Sequence, residues 1–209
     1  MVTGTQREAG TVRQPGLRVV AIGGSRSTLD HALAHDLSPE VIISFGMGGA
    51  LDPALRLGDW VIGTSLCGVA SADCDAEWAQ RLSRKFPKAR LGACYADGRL
   101  IADADEKQAL FAQTGAVVAD MESHLVAAAA TRLGIPFAVL RCISDESAAD
   151  LPPAIAVAMR PDGGLALGAI WSSLLADPAQ VPRLLRSTAR FNRAFASLRE
   201  GARLAFAPG

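Results

Sequence analysis

An excess of charge of either sign is the first thing this 209-residue sequence lacks: 21 Lys and Arg face 21 Asp and Glu. Nucleic acid is thereby disfavoured as the main partner, because gripping phosphates needs a basic surplus. Lysine is scarce in a composition rich in Ala, Leu and Gly, which carries no functional message. The four cysteines (Cys67, Cys74, Cys94, Cys142) form no CxxC pair and have no histidine at zinc spacing. Cys142 lies inside an apolar run and reads as core filler, and a reduced, cytoplasmic protein is the default expectation. His31, His35 and His124 make no coherent ligand set; the first two are four apart on one expected helix but want a third ligand. Neither a metal nor an organic cofactor is expected. Residues 1–13 are polar, so no signal peptide is read there. The longest uncharged run near the C-terminus, 163–176, falls short of the roughly 20 apolar residues that span a bilayer. Attachment to the inner face of a membrane stays open.

What is present suits one α/β domain. Half the residues are apolar, and a chain of this length buries roughly 70% of its unfolded surface. Val2-Thr3-Gly4 reads as the tail of a strand whose start is missing. Residues 17–22 read as a strand stopped by Gly23-Gly24-Ser25, with Ser27 and Thr28 as N-caps for a helix to 37. Residues 41–45 form a third strand, which Gly46-Met47-Gly48-Gly49 is expected to end with backbone open to a ligand. A turn at 57–59 leads into a strand at 60–63. The 71–90 stretch is polar and helical at best, and 99–102 is a short strand candidate. Helix is expected over 105–113, strand over 116–119, and helix over 122–133 up to Gly134 and Pro136. No internal repeat or low-complexity linker divides the chain. Strands alternating with helices predict a single-domain three-layer α/β/α sandwich with a mostly parallel central mixed sheet. Residues 1–150 form the core and 151–209 a helical extension packed on it. That extension carries a long amphipathic helix over 182–204, and between Val181 and the C-terminus six arginines face one glutamate. Such a helix packs on its domain with the arginines in water, or lies on anionic lipid.

Two apolar runs end abruptly in carboxylates: Val117-Val118-Ala119-Asp120-Met121-Glu122-Ser123, and Phe137-Ala138-Val139-Leu140-Arg141-Cys142-Ile143-Ser144-Asp145. An acid just past a buried strand sits at the carboxyl edge of a parallel sheet, where open α/β folds bind ligands. Two acids reaching one edge on separate strands can bind hydroxyls and move a proton. Each also has a structural reading, Asp145 as a turn or capping residue and Glu122 as an acid favoured by a helix dipole.

The order of these motifs, with the glycine run, Leu51-Asp52-Pro53 and Gly58-Asp59, resembles the nucleoside phosphorylase and nucleosidase superfamily over residues 2–150. The nearest pattern is that of methylthioadenosine/S-adenosylhomocysteine nucleosidase. Val118-Ala119-Asp120-Met121-Glu122-Ser123-His124 and the tail from Leu151-Pro152-Pro153 through Met159-Arg160-Pro161-Asp162-Gly163 into the basic helix resemble the hopanoid-associated phosphorylases, which act on adenosylhopane. The resemblance implies a nucleoside phosphorylase-like fold and cleavage of the N-glycosidic bond of an adenine nucleoside with a hydrophobic 5′ substituent. Asp145 is then the acid that protonates N7 of the purine, with Ser144 holding that acid or the base edge. Glu122 takes the ribose hydroxyls, with Met121 against the sugar and Met47 and Gly48 beside it. The 101–107 segment, including Lys107, corresponds to the wall near the base. The resemblance also implies a homo-oligomer.

The nucleophile divides the relatives. Hydrolases activate water with a glutamate on the first loop, a place Glu8 fills to within one residue of register. Phosphorylases hold inorganic phosphate, as co-substrate, with arginines and hydroxyls near glycine loops. Met47 and Phe45 weaken such a site on the third strand, while Arg7, Arg26 and Gly24 before a helix N-terminus offer one elsewhere. Phosphorolysis is the expectation on family grounds. Two alternatives stand beside adenosylhopane cleavage: a methylthioadenosine/S-adenosylhomocysteine nucleosidase, and a catalytically silent nucleoside-binding module.

Overall fold

Two nine-residue strands, β3 (Ile42–Ala50) and β8 (Phe137–Asp145), form the spine of a computed structural model that describes residues 1–12, 16–34, 39–152, 155, 177 and 181–206. They run parallel from Ile42↔Phe137 to Gly48↔Ile143, and a register shift then sets Gly49 opposite Asp145. Along β8, Val139 and Ile143 pack into one core and Ala138, Leu140 and Cys142 into another. That two-sided burial is what an uninterrupted apolar run does inside a covered sheet.

The other edge of β8 pairs antiparallel with β4 (Trp60–Gly68), which lies parallel to β6 (Arg90–Ala96). Next comes β7 (Val118–Asp120), parallel to β6 and antiparallel to the second half of β3. Strands β3, β8, β4, β6 and β7 therefore close a ring. The first half of β3 has a different neighbour, β1 (Val2–Thr3), which carries β2 (Val20–Ala21), both parallel. A short β5 (Ala72–Asp73) folds back on β4. The result is the expected α/β fold with a mixed, mostly parallel sheet, closed on itself in a way the strand pattern did not announce.

Helices cover both faces. On one, α5 (Ser123–Leu133) contributes Val126, Ala127, Ala129 and Ala130 to the core. On the other, α3 (Ala76–Lys85) and α6 (Val181–Phe206) supply Ala79, Leu82, Phe195, Leu198 and Ala202. Gly201 lets α6 lie on Trp60, since a Cβ there would fall 1.9 Å from the indole Cζ2. Shorter or peripheral are α1 (Gln6–Ala9), α2 (Arg26–Ala34) and α4 (Ala104–Thr114).

Several expectations need correcting. Gly46-Met47-Gly48-Gly49 does not end the third strand; these residues continue β3, because β8 on one side and β7 on the other supply ladder partners. The 17–22 strand shrinks to Val20–Ala21, all that β1 can pair. Ser25, not Ser27 or Thr28, caps α2, its hydroxyl accepting the Thr28 N–H at 3.2 Å. The polar middle holds β5 and a true helix, α3, capped by Asp75. Strand β6 was not anticipated, and 99–102 forms no regular element. Residues 35–38, with His35, and 156–163, with most of the tail that carries the hopanoid resemblance, lie outside the described residues.

Candidate active site

The end of β7, the first residue of α5 and Ser44 of β3 converge on one buried arginine in the middle of β8. Strand β7 ends in Asp120, whose Oδ1 accepts the backbone N–H groups of Glu122 (2.9 Å) and Ser123 (2.7 Å). This turn bends the chain from strand into α5 and leaves Glu122 at the N-cap position, with no side-chain capping hydrogen bond. The carboxyl is thus not spent on the helix; it points at Gly4, where a Cβ would sit 2.6 Å from Glu122 Oε1. The Ser123 hydroxyl donates to Asp120 Oδ2 at 2.6 Å.

Arg141, projecting from β8 between Val139 and Ile143, pins this turn. Its Nε lies 3.1 Å from Asp120 Oδ2, and its Nη2 donates to Ser44 Oγ (2.6 Å) and Ser123 Oγ (3.0 Å). Room for it comes from glycine. A Cβ on Gly46 would fall 2.6 Å from Glu8 Oε1 and 3.2 Å from Arg141 Nη1, and one on Gly48 would fall 2.7 Å from Val118 Cγ2. Glycines that looked like a loop are therefore strand residues, and the space a Cβ would take is filled by Glu8 and Arg141 at Gly46 and by Val118 at Gly48.

Glu8 arrives on α1 through a capping box: Thr5 Oγ accepts the Glu8 N–H, and Glu8 Oε2 accepts from the Thr5 N–H (2.8 Å) and hydroxyl (3.0 Å). Its Oε1 accepts the Met47 N–H at 2.8 Å, which seats the carboxylate on β3. At the end of β8, Asp145 is neither a helix cap nor a free turn residue. Its Oδ1 accepts from the Ser144 hydroxyl (2.7 Å) and its Oδ2 from Lys107 Nζ (2.6 Å), a lysine with no solvent exposure. Gly49 again makes space, with Asp145 Oδ2 3.0 Å from where its Cβ would be.

The electrostatics follow from three acids around one cation. Burial opposes the charge on Arg141, but Asp120, Glu122 and Glu8 more than offset it and hold the guanidinium charged. Burial would likewise raise Asp120, yet Arg141 and the hydrogen bonds from Ser123 bring its carboxyl below the usual range. Glu122 goes the other way: burial first, then the negative charges of Asp120 and Glu8, push its pKa up to about 8 against the pull of Arg141.

Of the residues singled out in the sequence, the structure gathers Glu8, Met47, Gly48, Met121, Glu122, Ser144 and Asp145 at one edge. It does not bring Arg7 or Arg26 to it. Arg7 stacks over the Phe195 ring at 4.1 Å and donates to Asn192 Oδ1 on α6. Arg26 is 69% exposed and pairs with Asp30 one turn along its own helix. Gly24, at φ +74°, shapes the turn before α2, and the neighbouring Gly23 N–H donates to the Gly4 carbonyl, so this helix start lies near Glu122. Sequence reasoning gave no role to Arg141, Asp120 or Ser123. A lone charge inside the run Val139-Leu140-Arg141-Cys142-Ile143 was the available signal for the first of these. For the Lys107–Asp145 pair, 38 residues apart, no local pattern existed. Among the described residues, no group of His, Cys, Asp and Glu is arranged to hold a metal.

A ring-closed mixed sheet flanked by helices, with acids at its carboxyl edge, defines a nucleoside phosphorylase-like protein. Residues 12–160 match the family model described as "Phosphorylase superfamily", and the chain belongs to that superfamily. Solved structures with the same fold include the 5′-methylthioadenosine/S-adenosylhomocysteine nucleosidase of Campylobacter jejuni (15% identity, 95% of this chain and 97% of that one, TM-score 0.60). Futalosine hydrolase of Helicobacter pylori strain 26695 is another (12% identity, 93% and 95%, TM-score 0.59). A third is S-adenosylhomocysteine nucleosidase from Streptococcus pyogenes in complex with 5-methylthiotubericidin (16% identity, 94% of each chain, TM-score 0.59). A search of curated proteins gives no match.

Proposed function

We propose that this protein cleaves the N-glycosidic bond of an adenine nucleoside bearing an apolar 5′ substituent, with adenosylhopane as the substrate, and releases adenine. The observation that carries the reading is the gathering of Glu8, Glu122, Arg141 and Asp145 on a face cleared by Gly46, Gly48 and Gly49. With the ribose over these glycines, Glu122 takes the 2′- and 3′-hydroxyls and Met121 borders the sugar. Asp145 gives its proton to N7 as the C1′–N9 bond breaks and the bonding pair goes to the base. The ribose then carries positive charge in an acid-rich pocket, which favours the transition state over the neutral ground state. The complex of the S. pyogenes neighbour supports a nucleoside as the ligand of this fold. Residues 118–124 and the 151–163 tail are the sole support for the hopanoid substituent.

On the nucleophile, the described residues favour water over phosphate. Glu8 and Asp120 face a single Arg141, a balance that disfavours a phosphate dianion and supports Glu8 as the group that takes a proton from water. Phosphorolysis is supported by one feature, the start of α2 beside Gly4. The test is adenine release from adenosylhopane with and without phosphate. Equal release makes the protein a hydrolase, and phosphate-dependent release a phosphorylase. Turnover of methylthioadenosine with none of adenosylhopane would replace the substrate by that of the second reading, and binding without turnover would leave the silent module.

An apolar 5′ group needs an open route from a membrane, and α6 offers a basic surface for one. Arg190, Arg193, Arg199 and Arg203 are exposed on it, and Phe191 and Leu204 are exposed apolar neighbours. Among the described residues no helix is long and apolar enough to cross a bilayer, so contact is peripheral. Co-sedimentation with vesicles containing anionic lipid, lost on Arg190→Glu/Arg193→Glu and absent with zwitterionic vesicles, is the expected result. Equal recovery with both vesicle types would remove this part of the reading.

A further inference from the structure

Lys107 is a fully buried cation whose Nζ protons all have acceptors within the protein: Asp145 Oδ2 at 2.6 Å, the Ala149 carbonyl at 2.7 Å and the Glu146 carbonyl at 3.4 Å. Lysine is almost never fully buried unless it is paired, and here the pairing leaves no donor for a substrate. Whatever Lys107 does, it does through Asp145 and the turn that follows it. That turn is tied to α4 at further points. The Ala104 N–H donates to Asp150 Oδ1, and the Leu151 N–H to the Ala102 carbonyl. Asp103 is occupied as the cap of α4, accepting the Glu106 N–H.

The two oxygens of Asp145 are in unlike settings. Oδ2 is held by a fixed cation. Oδ1 faces the Ser144 hydroxyl, which stands 2.7 Å from it and 3.2 Å from the Gly48 carbonyl. One hydroxyl proton serves two acceptors. It goes to Oδ1 when the carboxylate is ionised and can turn to the Gly48 carbonyl when Oδ1 carries a proton of its own. Oδ1 is therefore the oxygen left for a transferred proton, because the ammonium already occupies Oδ2.

We infer that Lys107 is a positioning residue for Asp145, reserving Oδ1 as the proton-carrying oxygen and neutralising the carboxylate left behind. The inference rests on the N-glycosidic cleavage proposed above. In that step the proton on Oδ1 moves to the base, the C1′–N9 bond breaks with its pair going to the base, and the new carboxylate is matched by the ammonium already in place. Without Lys107 the same transfer leaves an unpaired buried anion, which is strongly unfavourable.

A purely structural staple would damage every reaction of the site alike, whereas a partner of the acid matters only when the leaving group must be protonated. The experiment compares Lys107→Met with the parent protein on the adenine nucleoside and on a p-nitrophenyl β-D-ribofuranoside with the same 5′ group. The nitrophenolate leaves without a proton. Adenine release is expected to lose about 10²–10⁴ in kcat with KM little changed, while nitrophenol release stays within roughly tenfold of the parent, since no proton transfer is demanded. Equal losses on both substrates, or a change in KM alone, would overturn the inference. A stability cycle keeps it exposed should Lys107→Met be poorly folded: Lys107→Met/Asp145→Asn is expected to be more stable than Lys107→Met alone, because the stranded carboxylate is gone. Simple additivity in that cycle would also count against it. If the parent cleaves neither substrate, the functional reading fails by itself, and the cycle alone decides whether Lys107 acts on Asp145.

Discussion

Arg141→Met lowers the folding stability of this protein by about 3–5 kcal/mol, the range for stranding one partner of a buried ion pair. Methionine roughly keeps the volume, so the loss is not a cavity effect. What disappears is the cation paired with Asp120, whose side chain has no exposure, together with hydrogen bonds to Ser44 and Ser123 that join β3 and α5 to β8. The carboxyl that Arg141 keeps below the usual range must then either stay charged without a partner or take up a proton. Adding Asp120→Asn removes that choice, and the double variant is expected to recover part of the loss. Urea unfolding at pH 7 measures both, with an unchanged m-value showing that stability and not the denatured state has moved. A loss under about 1 kcal/mol for Arg141→Met would mean that the ring does not depend on this ion pair.

The same arginine marks the boundary of what the amino-acid sequence made legible. Glu122 and Asp145 could be found because each follows an apolar run, and a strand period puts such acids at the sheet edge whatever the rest of the fold does. Glu8 could be placed to within a residue. In the sequence Gly46-Met47-Gly48-Gly49 reads as the end of the third strand, with glycine leaving the backbone open to a ligand. Its reason for being in β3 is tertiary, as each missing Cβ is a space taken by Glu8, Arg141, Val118 or Asp145. Strand β6 hid for a related reason: Arg90-Leu91-Gly92-Ala93-Cys94-Tyr95-Ala96 is largely small or half-exposed, and only the neighbours β4 and β7 make it a strand. In the sequence Arg7 reads as an anion ligand on a loop at the sheet edge. On a helix, adjacent residues point about 100° apart, so a buried Glu8 sends Arg7 outward, onto Phe195.

Glu122→Gln should separate what this site does for folding from what it does for chemistry. The Glu122 pKa is raised from 4.5 to about 8, chiefly by burial and then by Asp120 and Glu8. A raised carboxyl means that the folded protein holds a proton the unfolded chain has already released. Its contribution to stability is fully present below about pH 4.5 and drains away as pH rises through about 8, by up to roughly 1.4 kcal/mol per pH unit. Glutamine keeps the shape and cannot ionise, so the variant is expected to lose this downward slope and to exceed the parent in Tm at pH 8 and above. Activity is expected to move the other way, falling about 10²–10³-fold as for loss of one preorganised charge-stabilising contact. The reason is that an amide cannot become the anion that a cationic ribose calls for. A carboxyl that burial keeps neutral, and that releases its proton to solvent water as positive charge develops beside it, interacts more strongly with the transition state than with the substrate, and that difference alone accelerates the chemical step. Thermal unfolding of both proteins between pH 5 and 9, paired with adenine release, decides the matter. Parallel stability curves would show that Glu122 does not titrate there, and full activity in the variant would remove it from the site.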